Sequence, residues 1–185
     1  RLEVARVNFV RPRLGFVITT DGRVSLVGQA ALRRPDAPRS PMTLDRIPRG
    51  HFAVTDAVLE VLDLRAKQGR FQLTDADLEV RRSGDEITLT GRVDLPEHLG
   101  SEIDIEAGAS GALADNDAVA WRVRAEARKL DLAGWAAMLP ESFRVPEAGH
   151  GSIRVSARGA GRAVTSLRLV PEFTDLRVAG ASGPF

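Results

Sequence analysis

Apolar and polar residues alternate with a period of two through most of this chain, the spacing that sends successive side chains to opposite faces of a β-strand. Between Glu86 and Leu95, the residues Ile87, Leu89, Gly91, Val93 and Leu95 share one face, and Thr88, Thr90, Arg92 and Asp94 the other. Ile103, Ile105, Ala107 and Ala109 repeat the pattern. Val119, Trp121, Val123, Ala125 and Ala127 repeat it again, with Arg122, Arg124, Glu126 and Arg128 opposite. Further strands are predicted at Leu2 to Val10, Leu14 to Thr19, Val24 to Leu32, Gly50 to Asp56, Val58 to Leu64, Gly69 to Thr74, Ala76 to Arg82, Ser152 to Arg158 and Val164 to Val178. The two arms on either side of Ala57 read as one broken strand or as two. Turn residues separate the runs: Thr20-Asp21-Gly22 and Ser83-Gly84-Asp85 predict hairpins. Arg33 to Pro41 holds three prolines, which cannot donate to a ladder, and reads as a loop. The fold class is mainly β, an antiparallel sheet.

One segment breaks the rhythm. Leu132, Trp135, Ala136 and Leu139 fall at i, i+3, i+4 and i+7, a helical stripe. Asp131 is placed to cap its first turn, and Pro140 to end it. Gly134 weakens such a helix by about 1 kcal/mol relative to Ala. A short amphipathic helix is therefore expected near 131–139, lying on the sheet or closing one end of it. Residues 1–178 read as sheet and residues 179–185 as a linker or tail. The chain opens on Arg1-Leu2-Glu3-Val4, already strand-like, as a segment of a longer body would.

Composition narrows the function. Hydrophobic residues are 43% and charged residues 28%, values of an ordinary folded domain rather than a disordered one. Aromatics are only 5% and tyrosine is absent, so any core or cavity must be lined by aliphatic side chains. Net charge is +1, and the basic residues scatter along the strands beside Asp and Glu. A nucleic-acid surface needs a positive stripe that displaces counterions, so no nucleic acid is expected as partner. The absence of cysteine excludes disulfides and thiolate metal sites. No apolar run approaches the roughly 20 residues of a membrane-spanning helix.

Catalytic motifs do not survive inspection. Gly108-Ala109-Ser110-Gly111-Ala112 has Ala where a nucleophile elbow needs its second glycine, and reads as a small-residue turn between strands. Gly159-Ala160-Gly161 lacks the third glycine of a dinucleotide fingerprint and reads as a hairpin loop. Asp115-Asn116-Asp117 lacks the spacing and final Glu of a calcium loop and reads as a β-turn. His51, His98 and His150 are solitary, and Asp75 with Asp77, on one strand face, reads as a solvated pair, since a catalytic one needs a cleft and split pKa values that sequence does not show. No enzyme, cofactor or metal is expected. What remains is the aliphatic face. Periodicity alone serves equally for the closed core of a sandwich or barrel, as in a structural or adhesin-like domain, and for an open apolar groove. A carbohydrate hydrolase on a β-helix or sandwich is disfavoured, because such sites present aromatic platforms.

Four phrases follow one another in order: Arg46-Ile47-Pro48-Arg49-Gly50 with Val54-Thr55-Asp56-Ala57-Val58-Leu59-Glu60-Val61; Phe71 to Val80 leading to Ile87-Thr88-Leu89 and Val93-Asp94-Leu95-Pro96 with Leu99-Gly100; Leu130-Asp131-Leu132 with Trp135 and Leu139-Pro140; and Gly149 to Val155. Taken together they resemble the large AsmA-like proteins of Gram-negative envelopes, particularly the YhdP branch. The span is roughly 46–178, and residues 1–45 match less clearly.

The resemblance implies a segment of a periplasmic body whose parent is anchored in the inner membrane. In such proteins the sheet curls, taco-like, into an elongated apolar groove that carries phospholipid between inner and outer membranes. The expected partners are phospholipid acyl chains, the rest of the parent chain and envelope proteins. The residues expected to face lipid are Leu78, Val80, Ile87, Leu89, Val93, Ile103, Ile105, Val119, Trp121, Val123, Ile153 and Val155. Their role would be non-directional apolar contact, favourable by about 0.8 kcal/mol per buried methylene. The family offers no catalytic residues to carry over.

Overall fold

The computed structural model describes residues 6–22, 24–27, 44–65, 69–138 and 147–177. The second half of the strand expected at Val24 to Leu32, the proline-rich loop, Leu139 with Pro140, and the tail from 178 onward lie outside the described residues. Ten strands form one sheet: β1 (Arg6–Val10), β2 (Arg13–Ile18), β3 (Val24–Leu26), β4 (Gly50–Asp63), β5 (Arg70–Ser83), β6 (Glu86–Asp94), β7 (Glu102–Gly111), β8 (Val119–Asp131), β9 (Ala148–Ala160) and β10 (Ala163–Arg177). Their order is β10-β9-β8-β7-β6-β5-β4-β2-β3, with β1 beside β4 and no closure of one edge on the other. From β4 to β10 every neighbour in sequence is an antiparallel neighbour in space, a meander whose β8–β9 connection carries a helix.

The sheet is not antiparallel throughout. β1 and β2 both run parallel to β4, along its other side. They are successive pieces of one line, broken at Arg11-Pro12, where Arg11 takes a φ of 55°. Parallel pairing needs a crossover of a dozen or more residues, and the stretch between β3 and β4 supplies that length.

Period-two reasoning also divided strands that are continuous. Gly50 to Asp63 is one strand with an irregularity between Val54 and Leu59, where Asp56 has a φ of 54°. Gly69 to Thr74 and Ala76 to Arg82 likewise fuse into β5, with Asp75 at a φ of 48°. A bulge inserts a residue into the ladder and resets the alternation without ending the strand. It also breaks the regular alternation that would place Asp75 on one face with Asp77, whose Oδ1 instead accepts from the Asp56 amide at 3.0 Å.

Two further expectations are corrected. Gly108 to Gly111 is the end of β7, not a turn between strands. The small residues serve the neighbouring strand, since a Cβ at Gly108 would come within 3.2 Å of the Arg122 Nε. Asp115-Asn116-Asp117 is not a simple β-turn: Asn116–Ala118 is a 3-10 turn, and the Asp115 carboxylate accepts from the Asp117 amide at 3.0 Å. A seven-residue helix, α1 (Leu132–Met138), follows β8 directly. Asp131 Oδ1 accepts from the Ala133 amide at 2.9 Å, as the cap position requires. Leu132 is buried and Trp135 packs inward, while Ala136 is exposed, so the sequence stripe is wider than the packed one.

Burial is concentrated at the two ends of the strands. At one end Leu95, Leu99, Ala127 and Leu130 form a cluster against which Phe71, Leu73, Ile103, Trp135, Ile153 and Phe173 pack. At the other end Ile87, Leu113 and Val119 are buried with Leu44, Ile47, Val80 and Ala109 around them. Loop residues cap both: Leu99 from the β6–β7 connection, Leu113 from the β7–β8 connection.

Candidate functional site

Register fixes which residues stand side by side across the sheet. On the apolar face, Leu78 pairs with Gly91, Gly91 with Ile105, Ile105 with Ala125, Ala125 with Val155 and Val155 with Leu169. A second row runs Val80, Leu89, Ala107, Val123, Ala157 and Leu167. These two rows cross six strands, from β5 to β10, between the two buried clusters. They are aliphatic throughout, and small residues recur in their middle.

The rows are open to solvent at several points. Leu78 and Ile105 are each 38% exposed and Val123 36%, while Leu167 and Leu169 at the β10 edge are 68% and 56% exposed.

The twelve sequence-derived positions thus divide. Ile87 and Val119 are fully engaged in one end cluster, and Val80 packs on it. Ile103 and Ile153 pack on the other. Leu78, Ile105 and Val123 are exposed in the middle, and Leu89, Val93, Trp121 and Val155 are half-buried. Trp121 turns its Nε1 to donate to the Gly161 carbonyl at 3.0 Å, and its ring lies where a Cβ on Gly159 would sit. Sequence reasoning placed Gly91, Ala107 and Ala125 on this face without counting them among the twelve, and it missed Ala157, Leu167 and Leu169 as members of the rows. Alternation did carry the signal for β10, but only the register shows that it extends the same two rows.

The other face is polar. A hollow of about 1070 Å³ reaches from Arg6 and Asn8 on β1 to Arg168 and Val170 on β10. Its lining mixes the charged side chains of this face with Leu78, Gly91, Ile105, Ala125 and Val155 of the first aliphatic row, and is not the aliphatic one that the AsmA-like resemblance implies. Half of this face is a compensated network. Arg92 Nε lies 2.8 Å from Asp104 Oδ1, and Arg128 reaches Glu102, Asp104 and Glu126. The hydrogen bond from Arg92 holds the Asp104 carboxyl below the usual carboxylate range despite partial burial. The same carboxylates, Glu102 first, raise the Arg128 guanidinium well above its ordinary value.

Little else invites chemistry. His51 Nε2 sits 3.0 Å from Glu79 Oε1 but finds no hydrogen-bond geometry. Among the described residues no three His, Asp or Glu converge to hold a metal ion, and no helix is long and apolar enough to cross a membrane. No family model, curated protein or solved structure matches this chain.

Proposed function

We propose that this chain is a segment of an AsmA-like, YhdP-type protein of the Gram-negative periplasm, with its parent anchored in the inner membrane, and that its apolar face carries phospholipid acyl chains between the two membranes. The observation that carries the reading is the pair of continuous aliphatic rows, open to solvent at Leu78, Ile105, Val123, Leu167 and Leu169, between two packed ends.

The dimensions fit. Six strands at ~4.8 Å spacing span about 24 Å. One leaflet of a ~30 Å bilayer core holds an acyl chain within about 15 Å. A chain laid across the strands therefore finds aliphatic contact along its whole length. The small residues Gly91, Ala107, Ala125 and Ala157 leave a shallow floor, and the end clusters bound it. Each methylene covered contributes about 0.8 kcal/mol, and no polar group is needed to hold it. The helix α1, an amphipathic element in this reading, closes one side through Leu132 and Trp135. Because the ten strands do not close on themselves, strands of a longer body would complete the elongated groove.

A photo-crosslinking residue at Val123, read by native mass spectrometry of the chain purified from a Gram-negative host, tests this. Phospholipid adducts are expected at Val123 and at Leu89, and not at Arg124 on the opposite face. Adducts at Arg124 alone, or none at any position, would defeat the reading. In the second case the apolar face is covered by protein, as in a closed-core structural domain.

A further inference from the structure

The polar face is uneven in its charge pairing. Around β6, β7 and the lower part of β8, arginines and carboxylates neutralise one another, as described above. At four positions on β8, β9 and β10 they do not, although Arg154 pairs with Glu172 on the same strands. Arg122 and Arg158 are direct partners across β8 and β9. One row further along, Arg124 pairs with Ser156, and Ser156 with Arg168. Among the described residues none of these four arginines has a carboxylate within ion-pair distance, and all four are exposed. The acids of the two rows are Glu106, opposite Arg124, and Glu79 on β5, and neither is in ion-pair contact with these arginines.

Such an arrangement is not what stability alone would select. Like charges directly opposite on neighbouring strands are destabilising. Directly opposed residues stand ~5 Å apart, and same-face neighbours along a strand ~7 Å. The backbone positions of the four arginines therefore fall on a patch about 12 Å across, with the Arg122 guanidinium lying over Gly108 on β7. Ser156 and Ser166 stand between the arginines in the same rows with short side chains. Arg124 and Arg168 also wall the hollow.

The geometry points to a binding site for phosphoryl groups, formed by Arg122, Arg124, Arg158 and Arg168. A guanidinium fork matches phosphate oxygens two at a time, and a phosphoryl group brings up to two charges and three acceptor oxygens to a patch that lacks anions. A single carboxylate brings one charge and two oxygens, too little for four arginines. A nucleic-acid duplex fits poorly, because its next phosphates would meet Glu102, Asp104 and Glu126. The phosphoryl group belongs either to a soluble oligophosphate or to a lipid headgroup. The site lies on the face opposite the aliphatic rows, so it stands whether or not those rows carry acyl chains.

The test uses the chain with two probes, inorganic pyrophosphate by titration calorimetry and phosphatidylcholine vesicles with and without phosphatidylglycerol by co-sedimentation. Saturable binding to at least one is expected, weakened tenfold or more in Arg122→Ser/Arg158→Ser and unchanged in Arg13→Ser, which lies away from the patch. Binding of pyrophosphate assigns a soluble ligand, binding of the anionic vesicles alone a headgroup. Without ligand, the double variant is expected to melt at a higher temperature than the parent chain, because it loses the opposed charges. No saturable binding to either probe, or an equal loss in Arg13→Ser, would overturn the site.

Discussion

Asp63 is the one charged residue in the buried set, and its neighbourhood explains how it stays there. Arg65 Nε and Nη2 reach its two carboxylate oxygens at 2.9 and 2.8 Å, and the Arg65 amide adds a third bond at 2.9 Å. The side-chain hydrogen bond from Arg65 outweighs desolvation and lowers the Asp63 pKa. Its folded value lies below the unfolded one, near 3.9. The stabilisation is therefore complete above about pH 4 and is lost as pH falls through the folded value. Asp63→Asn is expected to cost about 1–2 kcal/mol at pH 7, with the difference from the parent shrinking as pH falls through the folded value. Chemical denaturation at a series of pH values checks this, and a difference that persists undiminished in acid would rule it out. At this scale the sequence was only partly legible. Asp63 and Arg65, two residues apart, carry a local signal. Arg122 and Arg158 do not, because only the pairing of β8 with β9 brings them together, and in the linear chain their charges are scattered among acids.

Elements were legible wherever the alternation runs uninterrupted, as in β6, β7 and β8 as far as Ala127. They were misread where a left-handed residue resets it. Asp56, Asp75 and Lys129 each insert such a step within a strand that continues beyond it. Asp tolerates this conformation better than most residues, and Lys has no such preference. Nothing in the local sequence around Lys129 announces the bulge. The parallel pairing of β1 and β2 with β4 was hidden for a different reason, since it depends on a long crossover and not on local pattern. The helix α1 illustrates the opposite error. Gly134 reads as a weak point in a helix, yet in the fold it is the point of closest approach. A Cβ there would fall on the His98 carbonyl oxygen, and next to it Trp135 donates from Nε1 to the Leu99 carbonyl at 2.8 Å. Gly134→Ala should therefore destabilise the chain by about 1–3 kcal/mol through overpacking, although alanine is the better helix former. A thermal melt of the variant equal to or above the parent would show that α1 does not seat against this loop.

For the whole molecule the deciding property is whether the sheet's apolar face is a core or a surface. Ten strands in one open sheet leave two edges. β10, the longer one, carries Pro171, whose missing donor is tolerated in an edge strand. The sheet also leaves the middle rows of its apolar face without a facing layer among the described residues. Ile87 and Ile105 give a direct measure, since both lie on this face and differ mainly in position. Ile87 is 6% exposed within an end cluster, and Ile105 is 38% exposed in a middle row. A buried, unpaired carboxylate costs several kcal/mol, while the same group at a half-open position keeps much of its hydration. Ile87→Asp is expected to cost more than about 3 kcal/mol, or to prevent folding, and Ile105→Asp no more than about 1–2 kcal/mol. Ile105→Asp should nevertheless abolish lipid adducts at Val123, because it places a charge in the row beside it. Denaturation midpoints of the two variants, with crosslinking in the second, separate the cases. Equal and severe destabilisation by both would mean that the face is closed over, and that the rows are packing rather than a path for acyl chains.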